Sequence, residues 1–147
     1  DAAELQVRVR NLIEQRRKLR ERFSREITLQ PKDIAISTYD ENFLQRAMDT
    51  VETHISDPEF STESFSKEVG MSRMQLNRKL QALTDQATAE FVRSMRLKRA
   101  AQLLTQKGST TVVEIAYEVG FNSPSHFAKC FREQFDQLPS EYASQQN

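Results

Sequence analysis

The chain contains few of the residues from which chemical or membrane-spanning sites are built. Cys130 is its single cysteine, so it cannot form an internal disulfide, and it lacks the companions that a zinc site needs. No stretch approaches the roughly 20 apolar residues of a membrane span, and no signal-peptide pattern opens the chain. No nucleophile with a base, metal-ligand set or phosphate-binding loop is visible. We therefore expect a cytoplasmic protein with no enzymatic activity, metal, cofactor or membrane contact.

Glycine is equally scarce, and two of the three glycines occupy a repeated position. Gly70 and Gly120 each follow an apolar helical turn, and each precedes a serine, Ser72 or Ser123, that begins a second helical pattern. A glycine can adopt the left-handed conformation that ends a helix, and a serine hydroxyl can cap the N–H groups of the next helix. The repeat therefore predicts two helix-turn-helix units, which favours a double reader of DNA.

Hydrophobic periodicity predicts helices in the rest of the chain. Asp40 and Thr88 are predicted to cap two of them, Pro31 is predicted to stop the first, and 34–38 has an extended pattern. The predicted fold class is all-α, with two helix-turn-helix subdomains joined by a long linker helix and preceded by an extended N-terminal helix. The predicted boundaries are an N-terminal helix at 1–28, a linker at 29–40 with a candidate short strand, and a domain at 41–147. Within this domain, the first helix-turn-helix unit is predicted at 62–84, the linker helix at 88–106 and the second unit at 111–136.

The first predicted helix carries a heptad-like seam over roughly three repeats. Its seam residues follow each other at alternating spacings of four and three, with one charged residue among them: Leu5, Val9, Leu12, Arg16, Leu19 and Phe23. Two interpretations stay open, a helix packed on its own domain and a parallel coiled coil that makes a homodimer through residues 1–28. The basic residues from Arg16 to Arg25 are a solvated face or, less simply, a DNA contact. Because the chain begins inside this helical pattern, we expect a fragment of a longer protein.

The net charge is zero, but the charges are unevenly distributed. Counting Lys and Arg against Asp and Glu gives nine against six in 1–37, two against eight in 38–70, eight against two in 71–110 and two against five in 111–147. The positive charge is therefore concentrated on the first recognition helix and the linker helix. A local basic patch of this kind suits phosphate contact. The polar face of the linker helix is predicted to carry Arg93, Arg96, Lys98 and Arg99.

The two recognition helices differ in the side chains that their core faces leave outward. In the first, Leu76 and Leu80 turn inward, and the outward residues are Arg73, Met74, Asn77, Arg78 and Gln81. In the second, Phe127 and Phe131 turn inward, and the outward residues are Pro124, Ser125, His126, Ala128, Lys129 and Arg132. Arginine can pair with guanine and asparagine with adenine. The simpler alternatives are a solvated Asn77, a surface ion pair for Arg78, and exposed neutral side chains for His126 and His54.

Residues about 40 to 142 resemble the DNA-binding domain of AraC/XylS-type transcription regulators. The residues that match the C-terminal signature are Ile115, Ala116, Val119, Gly120, Phe121, Ser123, Phe127, Phe131, Phe135, Pro139 and Tyr142. Upstream, Arg96-Leu97, Ala100 and Leu103-Leu104 resemble that family's linker helix. The resemblance is specific because many matched positions fall in order across two repeats.

The resemblance implies a set of DNA-contacting residues. The positions implied to read bases are Met74, Asn77 and Arg78 in the first unit and Pro124, Ser125, Ala128 and Lys129 in the second, and Arg73 lies on the same outward face as the first set. Candidates for phosphate contact are Ser72, Arg93, Arg96, Ser123, His126, Lys129 and Arg132. Arg96 has an alternative role as an internal ion-pair brace between the subdomains. Because Pro124 and Ala128 donate no side-chain hydrogen bond, base selection is expected to rest mainly on the first unit.

The N-terminal segment has a narrower resemblance. Glu4-Leu5, Arg8-Val9, Asn11-Leu12-Ile13 and the basic helix that follows resemble the last helix of a response-regulator receiver. Together with Leu29-Gln30-Pro31, Asp40-Glu41 and Phe43-Leu44, this segment resembles the C-terminal end of hybrid two-component sensors of Bacteroides-type bacteria. The resemblance implies a parent protein that carries a histidine kinase and is a candidate for anchoring in the inner membrane.

The predicted function is a sequence-specific transcription regulator whose partners are double-stranded DNA, a second copy and, as a further candidate, RNA polymerase. The alternatives are a nonspecific architectural DNA binder and a helical protein-interaction module.

Overall fold

The computed structural model describes residues 1–23, 30–34, 37–106, 108 and 110–145, and all regular secondary structure in these ranges is helical. The helices are α1 Ala2–Phe23, α2 Pro31–Ile34, α3 Thr38–Thr53, α4 Thr62–Val69, α5 Arg73–Thr84, α6 Thr88–Thr105, α7 Val112–Glu118, α8 Pro124–Phe135 and α9 Pro139–Gln145. The predicted all-α class is confirmed. No helix in the described ranges is both long and apolar enough to cross a membrane.

Three predicted boundaries are wrong. The N-cap of α3 is Ser37, whose hydroxyl accepts a hydrogen bond from the Asp40 N–H at 3.2 Å, so Asp40 lies inside the first turn instead of preceding it. The N-cap of α6 is Ala87, and Thr88 is its first helical residue. Ile34 ends the short helix α2 and is not in an extended segment. The rest of that candidate strand, at 35–36, and the predicted end of the first helix, at 24–28, lie outside the described residues.

Two separate apolar clusters form the interior. The first unit is built on α3, α4 and α5, and its buried residues are Phe43, Leu44, Ala47, Val51, Phe65, Val69, Leu76, Leu80, Leu83, Phe91, Val92 and Met95. The second unit is built on α7, α8 and the second half of α6, and its buried residues are Leu97, Ala100, Ala101, Leu104, Ile115, Ala116, Val119, Phe121, Phe127, Cys130 and Phe131. Ile55, at the end of α3, packs against both clusters.

Helix α6 belongs to both units, which explains why its predicted polar face is partly wrong. Its first half contributes to one cluster and its second half to the other, from different sides of the helix. Arg93 and Arg99 are exposed as predicted, whereas Arg96 and Lys98 are only 7% and 6% exposed. Burial lowers the pKa of Lys98 to about 7, because the charged ammonium loses its hydration.

The two turns between helices use the same backbone conformation. Gly70 and Gly120 have φ values of 72° and 89°. The residue after each glycine donates its N–H to a carbonyl of the preceding helix, Met71 to Ser66 and Phe121 to Ala116, each at 3.0 Å. This closure satisfies the last carbonyls of the first helix while the chain reverses. The repeated glycines therefore do what their spacing predicted.

In each unit an arginine supports the glycine turn from the helix that precedes the helix-turn-helix. Arg46 on α3 donates to the Val69 carbonyl at 2.7 Å, and Arg96 on α6 donates to the Val119 carbonyl at 2.9 Å. These pairs stand fifty residues apart (46 and 96, 69 and 119), so the repeat includes α3 and α6 as well as the helix-turn-helix itself. Arg96 differs because it also donates to the Ile55 and Asp57 carbonyls of the first unit.

Helix α1 is attached to the domain at its C-terminal half and open at its N-terminal half. Leu19 packs against the first cluster, and α1 contacts α2 and α5. Leu5 and Leu12 of the predicted seam are 63% and 62% exposed, and Val9 is 47% exposed. The interpretation of α1 as a helix packed on its own domain therefore holds only for its second half.

We expect Gly120→Ala to destabilise the protein more than Gly70→Ala. Both substitutions place a Cβ at positive φ, which costs about 1–3 kcal/mol. At Gly70 the nearest atom, Arg46 Nη2, would be 3.9 Å from the new Cβ. At Gly120 the Cβ would collide with Arg96 Nη1 and lie 2.5 Å from the Ile55 carbonyl oxygen. Urea unfolding of both variants measures the difference, and equal losses would contradict the close fit of Arg96 against Gly120.

We expect the difference in stability between Lys98→Met and wild type to move in favour of wild type as the pH rises above 7. The pKa of Lys98 in the folded protein is lowered to about 7, below its usual 10.5. Between these two pH values the unfolded chain therefore binds one more proton at Lys98 than the folded protein does. Wild-type stability should therefore rise relative to the variant by up to about 1.4 kcal/mol per pH unit above pH 7. Lys67→Met, at an exposed lysine, is the control. A pH-independent difference up to pH 9.5 would show that Lys98 stays charged.

Candidate nucleic-acid interface

Both recognition helices begin at a serine cap, as predicted. Ser72 Oγ accepts a hydrogen bond from the Gln75 N–H, and Gln75 Oε1 accepts one from the Ser72 N–H, each at 3.1 Å. Ser123 Oγ accepts from the His126 N–H at 3.3 Å. Each hydroxyl uses an oxygen lone pair in its cap and keeps its proton for another acceptor. The starts of α5 and α8 can therefore offer a hydroxyl as well as helix N–H groups to a phosphate.

The outward face of α5 is open to solvent at most of the predicted base-reading positions. Arg73, Met74, Arg78 and Gln81 are exposed. Met74 is 65% exposed although it is apolar, which leaves its side chain free to meet a base edge. Arg78 forms no ion pair with any residue that the structure describes. Its neighbour Lys79 lies instead over the Tyr39 ring at 4.0 Å and close to Asp40.

Asn77 does not fit the predicted pairing with adenine. Its Oδ1 accepts hydrogen bonds from the Thr88 N–H at 3.0 Å and from the Thr88 hydroxyl at 3.4 Å. A bidentate pair with adenine needs this oxygen as an acceptor, and both of its lone pairs are already used. The solvated alternative is also wrong, because Asn77 caps the start of α6 from α5. Ala87 cannot do so, since it has no side-chain acceptor.

The outward face of α8 is more weakly equipped, as its sequence predicted. Ser125, Lys129 and Arg132 are exposed, whereas Pro124 and Ala128 are half-buried. His126 is exposed, but its ring lies 5.7 Å from the Phe121 ring and its ring nitrogens lie 3.7–3.8 Å from Cys130 Sγ. Burial raises the pKa of the Cys130 thiol, which is itself 5% exposed.

The linker helix offers fewer DNA contacts than predicted. Arg93 is exposed and available. Arg96 is only 7% exposed, and three of its five guanidinium N–H groups are donated to the Ile55, Asp57 and Val119 carbonyls, so it is poorly placed for the phosphate contact that the sequence predicted. Its alternative role as a brace between the subdomains matches the structure, although its partners are carbonyls and not a carboxylate. Burial lowers the pKa of Arg96, and the nearby Asp57 charge opposes that shift.

A cleft of about 460 Å³ separates the two units and collects several candidate phosphate ligands. Ser61 and Thr62 line it at the start of α4, Ser123 and His126 line it at the start of α8, and Arg93 lines it from α6. A helix N-terminus favours negative charge, and an exposed guanidinium does so more strongly. The cleft is therefore suited to a DNA backbone that passes between the units.

Four residues with supporting roles escaped the sequence-based predictions: His54, Asp85, Asp136 and Arg46. His54, expected to be a plain surface residue, lies 2.6 Å from Glu68 Oε1 and stacks on the Phe60 ring at 4.6 Å. Both recognition helices end at an aspartate in the left-handed conformation, Asp85 and Asp136. The repeat was the signal that could have revealed them: Arg46 lies 50 residues before Arg96, and Asp85 lies 51 residues before Asp136, the same interval as between Ser72 and Ser123. Nothing local in the sequence marks the contact of His54.

Comparison with known proteins gives consistent matches. Residues 65–145, more than half of the chain, match the family model described as a helix-turn-helix domain. Histidine kinase P4 of Formosa agariphila is 40% identical over 139 residues, which are 95% of this chain and 10% of that protein. The chain thus spans about a tenth of that relative's length.

Two solved structures are similar in fold and sequence. One is a transcriptional regulator with an AraC-type DNA-binding domain from Chromobacterium violaceum, with 32% identity, a TM-score of 0.68, and coverage of 75% of this chain and 96% of that one. The other is the DNA-binding domain of the transcription factor AdpA in complex with a target DNA, with 26% identity, a TM-score of 0.60, and coverage of 70% and 90%. With its two capped recognition helices, its glycine turns and these matches, the chain belongs to the AraC-type family of DNA-binding transcription regulators.

Proposed function

We propose that the chain is the DNA-binding output module of a two-component signalling protein, and that its two recognition helices enter successive major grooves. The observation that carries this proposal is the duplicated cap, turn and outward helix face, at α5 and at α8. Helix α6 has 18 residues, so it spans about 27 Å. The helical repeat of DNA is about 34 Å, which lets two helices held apart by α6 reach one face of the duplex.

The proposed division of labour between the units follows from their exposed side chains. On α5, Arg78 is free to form a bidentate pair with guanine, Met74 can meet a thymine methyl, and Arg73 lies beside them. On α8, Ser125 and Lys129 are the remaining polar base-reading candidates, and Arg132, Ser123 and His126 are candidates for phosphate contact. We infer that α5 selects the sequence and α8 mainly fixes the position of the domain on the duplex.

We expect Arg78→Ala to relax base preference and Arg93→Ala to weaken binding to all sequences about equally. Loss of a bidentate pair costs about 1–3 kcal/mol on the preferred site and little on a scrambled one. Loss of one phosphate contact also lowers the slope of log K against log salt by about one unit. The sites come from in vitro selection on random duplexes, and titrations at two salt concentrations give the affinities.

Arg99→Ala is the matched control, because Arg99 is exposed on the same helix as Arg93 but does not line the cleft between the units. The affinity of the Arg99→Ala variant for both the matched and the scrambled site should stay within twofold of wild type. Equal losses on matched and scrambled sites for both Arg78→Ala and Arg93→Ala would overturn the division of labour. Wild-type protein that binds every duplex equally would be an architectural binder, and absence of binding at 50 mM salt would leave only a protein-interaction module.

We also propose that the parent protein is a hybrid two-component sensor and that α1 presents the module as a homodimer. The similarity to a histidine kinase that is about ten times longer supports the first point. The exposed seam of Leu5, Val9 and Leu12 supports the second, because a parallel coiled coil would bury it. We propose a cytoplasmic location for the module, because its proposed target is DNA.

RNA polymerase is a further proposed partner, since a transcription regulator acts through it. Outside both recognition helices, the exposed Val113 and Tyr117 of α7, flanked by Glu114 and Glu118, offer a surface to a protein.

We expect the double variant Leu5→Glu/Leu12→Glu to be monomeric where the wild type is a dimer. Both side chains are more than 60% exposed, so the charges should not disturb the fold of the monomer. Val7→Glu is the control, because Val7 is 52% exposed but lies off the seam. Sedimentation equilibrium at tens of micromolar gives the masses. A monomeric wild type, or a dimer that survives the double substitution, would refute the coiled coil.

A further inference from the structure

The two units are held together by few direct contacts besides the continuous helix α6. Their apolar clusters are separate, and Ile55 is the partly buried residue that packs against both. Each unit buries its own half of α6, so contacts that reach from one half of α6 to the other unit fix the rotation of the units most directly. The polar contacts of α6 are therefore the features that can set the relative orientation of α5 and α8.

Two residues make polar contacts that link the units: Gln134 of α8 donates to the Ser94 carbonyl on the first half of α6 at 3.3 Å, and Arg96 makes three such contacts. Its Nη1 donates to the Ile55 carbonyl at 2.5 Å and to the Val119 carbonyl at 2.9 Å, and its Nη2 donates to the Asp57 carbonyl at 2.9 Å. Ile55 and Asp57 follow α3 in the first unit, whereas Val119 ends α7 in the second. The guanidinium is planar and rigid, so these hydrogen bonds define one arrangement of the three carbonyls.

The equivalent arginine of the first unit has no such linking role. Arg46 donates to the Val69 carbonyl at 2.7 Å, and both residues belong to the first unit. Its counterpart Arg96 is 7% exposed, whereas Arg46 lies on an exposed part of α3. Arg46 therefore bonds to a carbonyl within its own unit, whereas the equivalent Arg96 bonds to carbonyls of both units.

Asn77 completes the connection on the side of the first recognition helix. Through Thr88 it joins α5 directly to the start of α6. The orientation of α5 is thus tied to α6 by Asn77, and the orientation of the second unit is tied to α6 and α3 by Arg96. A rotation of α8 relative to α5 would break one of these sets of hydrogen bonds.

We propose that Arg96 determines the spacing between the two DNA contacts that the module accepts, a specificity that rests on the proposed recognition of two successive major grooves. One added base pair moves the second contact by about 3.4 Å and turns it by about 35°. A domain held rigid by Arg96 cannot follow this change and loses the contacts of one unit. A domain without the guanidinium loses three polar contacts between the units, so we expect it to adjust their relative orientation and to keep more of both sets of contacts.

The test uses the selected duplex and two derivatives in which the segment between the contacts of α5 and α8 is one base pair longer or shorter. We expect wild type to bind both derivatives at least tenfold more weakly than the parent duplex. Arg96→Met keeps an apolar side chain but removes the hydrogen-bond donors. We expect this variant to bind the two derivatives less than threefold more weakly than it binds the parent duplex. Arg46→Met, the matched control, loses the same kind of contact within one unit and should keep the wild-type spacing dependence.

Thermal melting of each variant, monitored by circular dichroism, establishes that it is folded at the binding temperature. If Arg96→Met is unfolded, Gly120→Ala replaces it, because its Cβ displaces the guanidinium from the Val119 side, and Gly70→Ala then serves as control. The proposal would be overturned if Arg96→Met weakened binding to all three duplexes by the same factor relative to wild type, because Arg96 would then only stabilise the domain. Wild type that binds all three duplexes equally would overturn it too while the proposed function stands. Absence of binding to any duplex would refute the proposed function itself.

Discussion

The architecture depends on one buried guanidinium. Arg96 is almost inaccessible to water, and removing such a group from water is unfavourable unless its donors are satisfied. Here backbone carbonyls of both units accept three of its five N–H groups. The contact also requires Gly120, because any Cβ at that position would occupy the space of the guanidinium. The glycine therefore has two functions, a left-handed turn and a close approach of Arg96, whereas Gly70 has only the first.

The two copies of the repeated unit have the same local contacts but differ in how they are joined to the rest of the domain. Each copy has a preceding helix with a supporting arginine, a glycine turn, a serine cap and an aspartate in the left-handed conformation at the end of the recognition helix. The asymmetry arises because α6 contributes buried residues to both units, whereas its counterpart α3 contributes buried residues to the first unit. The side chains of α6 are consequently buried from several directions, and a polar residue on it can belong to the interior of the domain.

The features that were predictable from the sequence are those determined within one turn of chain. Ser72, Ser123 and the two glycines act on neighbours a few residues away, so their pattern is enough to locate two helix-turn-helix units. The roles of Asn77 and Arg96 depend on residues 11 and 41 positions away, at Thr88 and Ile55. Helical periodicity assigns a residue to a face of its own helix, but it cannot show that a second unit covers that face. Both residues were therefore placed outward and assigned to DNA.

The burial of these cations changes the electrostatic case for DNA binding. Residues 71–110 carry eight Lys and Arg, yet Arg96 and Lys98 face the interior. The exposed cations at the proposed interface, Arg73, Arg78, Arg93, Lys129 and Arg132, are a small set on a chain of zero net charge. Nonspecific affinity grows with the number of phosphates neutralised, so a small set of cations provides little of it. Tight binding must then come from base contacts and from the correct separation of the two recognition helices, which favours a sequence-specific regulator over an architectural binder.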